Sequence, residues 1–188
     1  MSSHHIVREK QEPALLIMSI EGFESENLGQ ILEWSPTLIV NEEIYELVDS
    51  MGIKIDAVLT KNPHFYTQES TKLILSNSEP LEDALKFLVG EHYPAVNIIT
   101  NEFTLKDYVL FVDDLDIVVF IGNQKIFPVR SGFSKWQAAE EEIQVLHEVH
   151  NLHCSGLLKV EDHLFVTEKD GFYSLTFEQP FIFIAETI

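Results

Sequence analysis

Three histidines at intervals of three, His147, His150 and His153, are followed at once by the only cysteine, Cys154. Imidazole and thiolate are ligands that suit zinc, so this H-x-x-H-x-x-H-C run could in principle hold a metal. Its spacing argues otherwise. On a strand His147 and His153 share one face while His150 points the other way, and on a helix steps of three drift around the cylinder. The expectation is histidines half-exposed on a β surface, with no metal assigned. Cys154 could serve as a catalytic thiol beside those histidines; a buried structural cysteine is the expected reading. A carboxylate cluster, Asp113, Asp114 and Asp116, offers oxygen ligands for Mg²⁺ or Ca²⁺. It lacks the EF-hand spacing and lies where a helix would hand over to a strand, which predicts a solvated loop. The run Glu140 to Glu142 reads as a solvated face, and His4 and His5 lie on a polar terminus.

Several chemistries lack their motif. Neither G-x-G-x-x-G nor G-x-x-x-x-G-K-[ST] occurs, and the N-terminal half holds only Gly22, Gly29, Gly52 and Gly90. No glycine-rich phosphate cradle is therefore present. No G-x-S-x-G elbow positions a serine nucleophile.

The bulk charge narrows the partners. Thirty-one acidic against 12 basic residues give a net charge of -19, and Arg8 and Arg130 are the only guanidinium groups. A nucleic-acid partner needs a basic stripe to neutralise phosphates, and none is visible. An anionic membrane would be repelled as well. One cysteine permits no intrachain disulfide and suits a reducing cytoplasm. Residues 1–13 are polar and charged, which predicts a flexible N-terminus rather than a secretory signal.

Elements that could position a site follow from periodicity. Ala14 to Ile20, Thr37 to Val40, Asp56 to Thr60, Val96 to Thr100 and Asp116 to Ile121 are short apolar runs that predict buried strands, with a further short strand at Thr71 to Leu75. Between them Leu28, Ile31 and Leu32 fall at helical spacing. Ile44, Leu47, Val48 and Met51 predict one helix face, with Asn41 as N-cap and Gly52 as the stop. Pro80 fits an early helix position ahead of Leu81, Ala84, Leu85 and Leu88. Leu105, Val109 and Val112 predict another helix, capped by Asn101. Strands alternating with helices imply a mainly parallel α/β/α sheet over 14–122. Beyond Gly122, turn signals punctuate β-branched and aromatic segments, which predicts an antiparallel β-sandwich over 123–188. Lys135 to Glu142 is helix-compatible and could form a short helix or a loop.

The stretch Ile39 to Asn62 resembles the thiamine pyrophosphokinase family. That family has a strand, an acidic glycine-rich turn, a helix ending in Gly-Ile-x-Pro-Asp, a strand, and then Gly-Asp-x-Asp-Ser. The counterparts are Asn41-Glu42-Glu43, Gly52 to Asp56, Ala57 to Leu59, and Thr60 to His64. Glu79 to Leu85 resembles Thr-Asp-Leu-Glu-Lys-Ala-Leu, and Thr100 to Tyr108 aligns on Gly-Ala-x-Gly-Gly-Arg-x-Asp-His. Phe165 to Lys169 is similar to Gly-Thr-Ser-Asn-Glu, and Trp136 lies where some members carry a thiamine-contacting tryptophan.

The resemblance implies pyrophosphoryl transfer from ATP to thiamine with Mg²⁺, by a homodimer whose sites lie at the subunit interface. Carboxylates must hold Mg²⁺ against the phosphates in such chemistry. The matching positions here largely lack them. The early Asp corresponds to Asn41 and the following glycine pair to Glu42 and Glu43. The acids of Gly-Asp-x-Asp-Ser correspond to Lys61 and Pro63, and the Asp of Thr-Asp-Leu to Pro80. The Arg and His of Arg-x-Asp-His correspond to Leu105 and Tyr108, and only Asp107 keeps a family functional residue. Thr167 and Glu168 stand for the Ser-Asn pair of the thiamine side, with Trp136 as the third ligand-binding position.

The resemblance therefore implies a fold kept and a transferase activity eroded. Such a protein would be a cytoplasmic homodimer that at most binds a thiamine-like or nucleotide ligand, with Mg²⁺ and ATP as cofactors only if the activity survives. Two alternatives stand beside it: an active diphosphotransferase with a rearranged metal site using Asp56, Asp107 and Glu102, and a structural dimer without a ligand.

Overall fold

The structure is a computed structural model that describes residues 12–77 and 79–188. His4, His5, Arg8 and most of the expected flexible N-terminus lie outside the described residues. Two compact units divide the chain, one ending at Ile117 and the other beginning at Val118.

Among the described residues of the first unit five short strands form a parallel sheet. They are β1 (Ala14–Ile17), β2 (Leu38–Asn41), β3 (Ala57–Thr60), β4 (Lys72–Leu75) and β5 (Ala95–Ile99), in the order β5-β1-β2-β3-β4. Every adjacent pair among them is parallel. Continuous apolar runs are what such strands require, because a parallel sheet is covered on both faces. β1 and β3 are buried along their whole length, whereas edge strand β4 buries only Ile74 and Ser76 follows it into the interior.

Among the described residues three α-helices accompany these strands: α1 (Ser25–Leu32), α2 (Tyr45–Ser50) and α3 (Pro80–Gly90). Pro80 occupies the first turn of α3, where its missing N–H costs nothing, and Ala84, Leu85 and Leu88 are buried. α2 departs from expectation. Asn41 belongs to β2 and makes no side-chain cap bond, and a 3-10 turn over Glu42–Ile44 comes first. That turn rotates the helix so that Tyr45 and Val48 face inward, leaving Leu47 and Met51 about half exposed at 48% and 47%. The Tyr45 hydroxyl accepts the Gln68 N–H at 2.8 Å, which fixes the rotation. Gly52 does end the helix, at φ +73, with its N–H donating to Asp49 O at 2.9 Å.

The helix expected over Leu105, Val109 and Val112 is absent. A single 3-10 turn, Leu105–Asp107, stands there, and Asn101 is exposed rather than capping. Tyr108, Phe111 and Leu115 are buried instead, and Val109 faces solvent. The larger rings bury more apolar area than the valines, and Tyr108 stacks flat on Phe103 at 5.0 Å.

The second unit is antiparallel throughout. One sheet runs β6-β7-β14-β9-β12-β11, from β6 (Asp116–Ile121), β7 (Gln124–Val129), β9 (Glu142–Val145), β11 (Leu157–Glu161), β12 (Leu164–Thr167) and β14 (Ile182–Thr187). The other runs β10-β13-β8, from β8 (Phe133–Gln137), β10 (His153–Ser155) and β13 (Gly171–Thr176). Lys135 to Gln137 is thus strand, not helix or loop. Phe133 packs inward beside Tyr173 at 5.9 Å while Ser134 and Trp136 face out, the period of two that a strand imposes. One buried cluster joins side chains of both sheets, among them Val129, Ile143, Val145, Phe165 and Ile184 with Tyr173 and Leu175. Gly156 makes the passage between the sheets possible. It sits at φ +74, and a Cβ there would meet Phe172 O at 2.7 Å.

Among the described residues no helix is long and apolar enough to cross a membrane.

Candidate functional site

Loops that leave the C-terminal ends of parallel strands are where open α/β sheets bind ligands. The strand directions bring the expected positions to that edge of the first unit. Asn41 ends β2, Lys61 follows β3, Pro80 opens α3 after β4, and Asp107 lies in the turn region after β5. Asp56 is not among them. It precedes β3 and so sits at the opposite edge, where its carboxylate accepts the Leu38 N–H at 3.0 Å and pairs with Lys54 at 2.8 Å. A metal site drawing on Asp56, Asp107 and Glu102 together is therefore ruled out by strand direction.

The loops at the C-terminal edge bond to themselves. Thr60, buried at the end of β3, donates its hydroxyl to the Glu42 carboxylate, which reaches across from the start of the next loop. The same hydroxyl oxygen accepts the Asn62 N–H at 3.0 Å. Asn62 in turn accepts the His64 N–H at 2.9 Å, an Asx turn that shapes the loop carrying the exposed Lys61. In the β4–α3 loop Asp83 accepts from the Ser76 hydroxyl at 2.9 Å and the Asn77 N–H at 3.0 Å. Its carboxylate closes that loop ahead of Pro80.

Beyond β5 the chemistry is carboxylate beside phenol. Tyr108 is 1% exposed. Burial pushes its hydroxyl well above the usual phenol range, and the charges of Asp107 and Glu102 push it further. Both carboxylates thus bear on the same ring. Leu105 and Asp107 are half-buried.

These residues do not fit Mg²⁺. Asn41 is a weak ligand, Lys61 is cationic and the Pro80 side chain has no ligand atom. Among the described residues no group of three or more His, Cys, Asp and Glu side chains is arranged to hold a metal. That covers the carboxylates at this edge, the cluster Asp113, Asp114 and Asp116, and the histidine run.

In the second unit the three positions expected to bind a ligand differ in their surroundings. Trp136 is 54% exposed on β8, directly opposite Phe172, which is 71% exposed on β13. Thr167 is buried, donating to Ala138 O and accepting the Glu141 N–H at 2.9 Å, so its hydroxyl is committed to the fold. Glu168 is exposed. His147 is half-buried with its Nδ1 buried and lacking a hydrogen-bond partner, while His150 and His153 are exposed. Cys154 is half-buried rather than fully enclosed, and desolvation raises its thiol above the usual range.

Sequence reasoning missed the Glu42–Thr60 contact, the Phe103–Tyr108 stack and His163, whose Nε2 lies 3.2 Å from Glu148. All three are pairings of residues apart in sequence with no motif to signal them.

Comparison with protein-family profiles finds no match, and no curated protein matches by sequence. Solved structures do match. A probable thiamine pyrophosphokinase from Staphylococcus saprophyticus superposes with TM-score 0.64 at 9% identity, over 93% of this chain and 98% of that one. Thiamin pyrophosphokinase from Candida albicans gives 0.64 at 8% identity, over 94% and 90%. The yeast enzyme gives 0.63 at 8% identity, over 97% and 88%. Likeness at such identity is one of architecture, and it extends over nearly the whole chain: the protein has the fold of the thiamine pyrophosphokinases.

Proposed function

We propose that this chain is a thiamine pyrophosphokinase-like protein that no longer transfers pyrophosphate, and whose remaining role is to bind a small neutral or cationic molecule. One observation carries the reading: the Glu42 carboxylate lies on the Thr60 hydroxyl at the strand ends, where the resemblance implies glycine and an approaching phosphate. A carboxylate there repels phosphate and occupies the space that backbone N–H groups would need. Lys61, Pro80 and Asn41 supply no carboxylate to draw Mg²⁺ back. The net charge of -19 favours a cation over a nucleotide. Trp136 and Phe172 offer exposed aromatic faces of the kind that attract organic cations such as a thiamine-like ring. The two sheets of the second unit form a β-sandwich in this reading, and the protein works as a homodimer in the cytoplasm.

A coupled assay for AMP release, with purified protein, thiamine and Mg-ATP, tests it. The expected rate equals the protein-free blank. Turnover that Asp107→Ala abolishes would overturn the proposal and establish an active transferase.

A further inference from the structure

The β11–β12 hairpin and the segment from Glu148 to Cys154 enclose an open pocket in the second unit with a volume of about 420 Å³. Small-molecule sites span about 300–1,000 Å³. One wall is apolar, formed by Val149, Leu152 and Phe165. The rim carries two base–acid contacts: Lys159 Nζ lies 2.7 Å from Asp162, and His163 Nε2 lies 3.2 Å from Glu148.

The two pairs are lopsided in the same way. The Asp162 and Glu148 side chains are 89% and 90% exposed, whereas Lys159 is 59% and His163 only 35% exposed. All four side chains line the pocket, the acids being the more exposed members of each contact. The backbone fixes the bases. Lys159 pairs directly opposite Phe165, so the ammonium stands at the lip of the apolar wall. His163 is held in the left-handed region at φ +67 within the tight turn, and its carbonyl accepts the Val145 N–H at 2.8 Å. An exposed ion pair such as Lys159–Asp162 adds little stability, so a ligand's charges can exchange with it.

Charge then selects the ligand. A simple anion would meet Glu148, Asp162 and a chain of net charge -19. A simple cation would be opposed by Lys159. Among the described residues no three His, Cys, Asp or Glu side chains converge to hold a metal, so a metal ion is not the occupant argued for. A molecule bearing both charges meets both requirements: its carboxylate accepts from Lys159 and His163, and its ammonium donates to Glu148 or Asp162. Its remaining body lies against Leu152 and Phe165.

We propose that this pocket binds a small zwitterion with an apolar body, the chemistry of a free hydrophobic α-amino acid. The proposal is independent of the reading of the first unit.

Amide NMR titration of the full chain tests it, with L-phenylalanine, phenethylamine and 3-phenylpropionate as separate probes. The expected result is saturable shifts at Leu152, Cys154, Lys159, His163 and Phe165 with L-phenylalanine, at a Kd on the order of 1 mM. Each single-charge probe should bind at least about tenfold more weakly. Lys159→Met, a change at an exposed side chain, should weaken L-phenylalanine by about tenfold while leaving the remaining spectrum in place. Leu152→Trp, which fills the pocket, should abolish the shifts. Absence of saturable shifts, equal binding of either single-charge probe, shifts centred elsewhere, or binding indifferent to both substitutions would each overturn the proposal.

Discussion

The hydroxyl of Thr60, the last residue of β3, donates a hydrogen bond to the carboxylate of Glu42, the first residue beyond β2. Neighbouring parallel strands thus have their C-terminal ends tied together by side chains of their own loops. The Asn62 N–H completes the contact from the other side at 3.0 Å. A loop that satisfies its own polar groups in this way holds its shape without a ligand, so the pairing bears on stability.

Thr60→Val preserves shape but leaves the half-buried Glu42 carboxylate and the Asn62 N–H without their partner. We expect a loss of about 1–3 kcal/mol in urea unfolding, the cost of unsatisfied buried polar groups. Thr60→Ser, which keeps the hydroxyl, should cost less than half as much. Equal losses for the two would show that the methyl and not the hydrogen bond matters.

In the second unit Glu186 is 3% exposed on β14 and bonds across to the other sheet. It accepts the Tyr173 hydroxyl at 2.8 Å and pairs with Lys135. Breaking a buried pair from one side leaves an uncompensated charge, so Lys135→Met should destabilise by about 3 kcal/mol, and Tyr173→Phe by about 1–2 kcal/mol. Adding Glu186→Leu to Lys135→Met should recover much of that loss, because the orphaned charge goes with it. Denaturant unfolding of the three variants measures this.

Tyr108 and Tyr173 both have phenols raised above the usual 10.0, each by burial first; Asp107 and Glu102 add to the first, and the hydrogen bond and charge of Glu186 add to the second. A raised folded value gives stability that is fully present below the unfolded value of about 10 and lost as pH rises beyond it toward the folded one. Stability should therefore decline above about pH 10, and Tyr108→Phe and Tyr173→Phe should each flatten that decline. Unfolding curves between pH 9 and 11 (about one unit either side of the unfolded phenol) would show it.

His147 is lowered from 6.5 by desolvation first and by the charge of His163 second. Its neutral form is favoured in the fold, so the stability it contributes is present above about 6.5 and is lost as pH falls toward the lowered value. Because its Nδ1 has no hydrogen-bond partner, His147→Leu should leave stability at neutral pH unchanged or higher and should reduce the acid loss below about pH 6.5. Thermal unfolding at several pH values distinguishes this from a histidine that stabilises the loop.

What could be read from sequence was what depends on neighbours along the chain. Strands lie within the expected runs Ala14 to Ile20, Asp56 to Thr60 and Asp116 to Ile121, though the first ends at Ile17; the first two strands are buried throughout because continuous apolar residues need burial on both faces. Pro80 and Gly52 mark helix ends for reasons local to one residue. Contacts set by strand order were illegible. Asp56 and Asp107 look equivalent as carboxylates, but strand direction sends them to opposite edges of the sheet. The turn after β5 is no helix although Leu105, Val109 and Val112 have helical spacing, because packing against Phe103 takes Tyr108 inside. Thr167 matched a ligand position by order, yet its hydroxyl is spent on Ala138 and Glu141.

The most direct test of the proposed loss of nucleotide binding is calorimetric titration of Mg-ATP into the purified protein. The expected result is no saturable heat up to about 1 mM nucleotide. Stoichiometric binding with a Kd below about 10 µM would contradict the reading that Glu42 and Thr60 hold that edge shut.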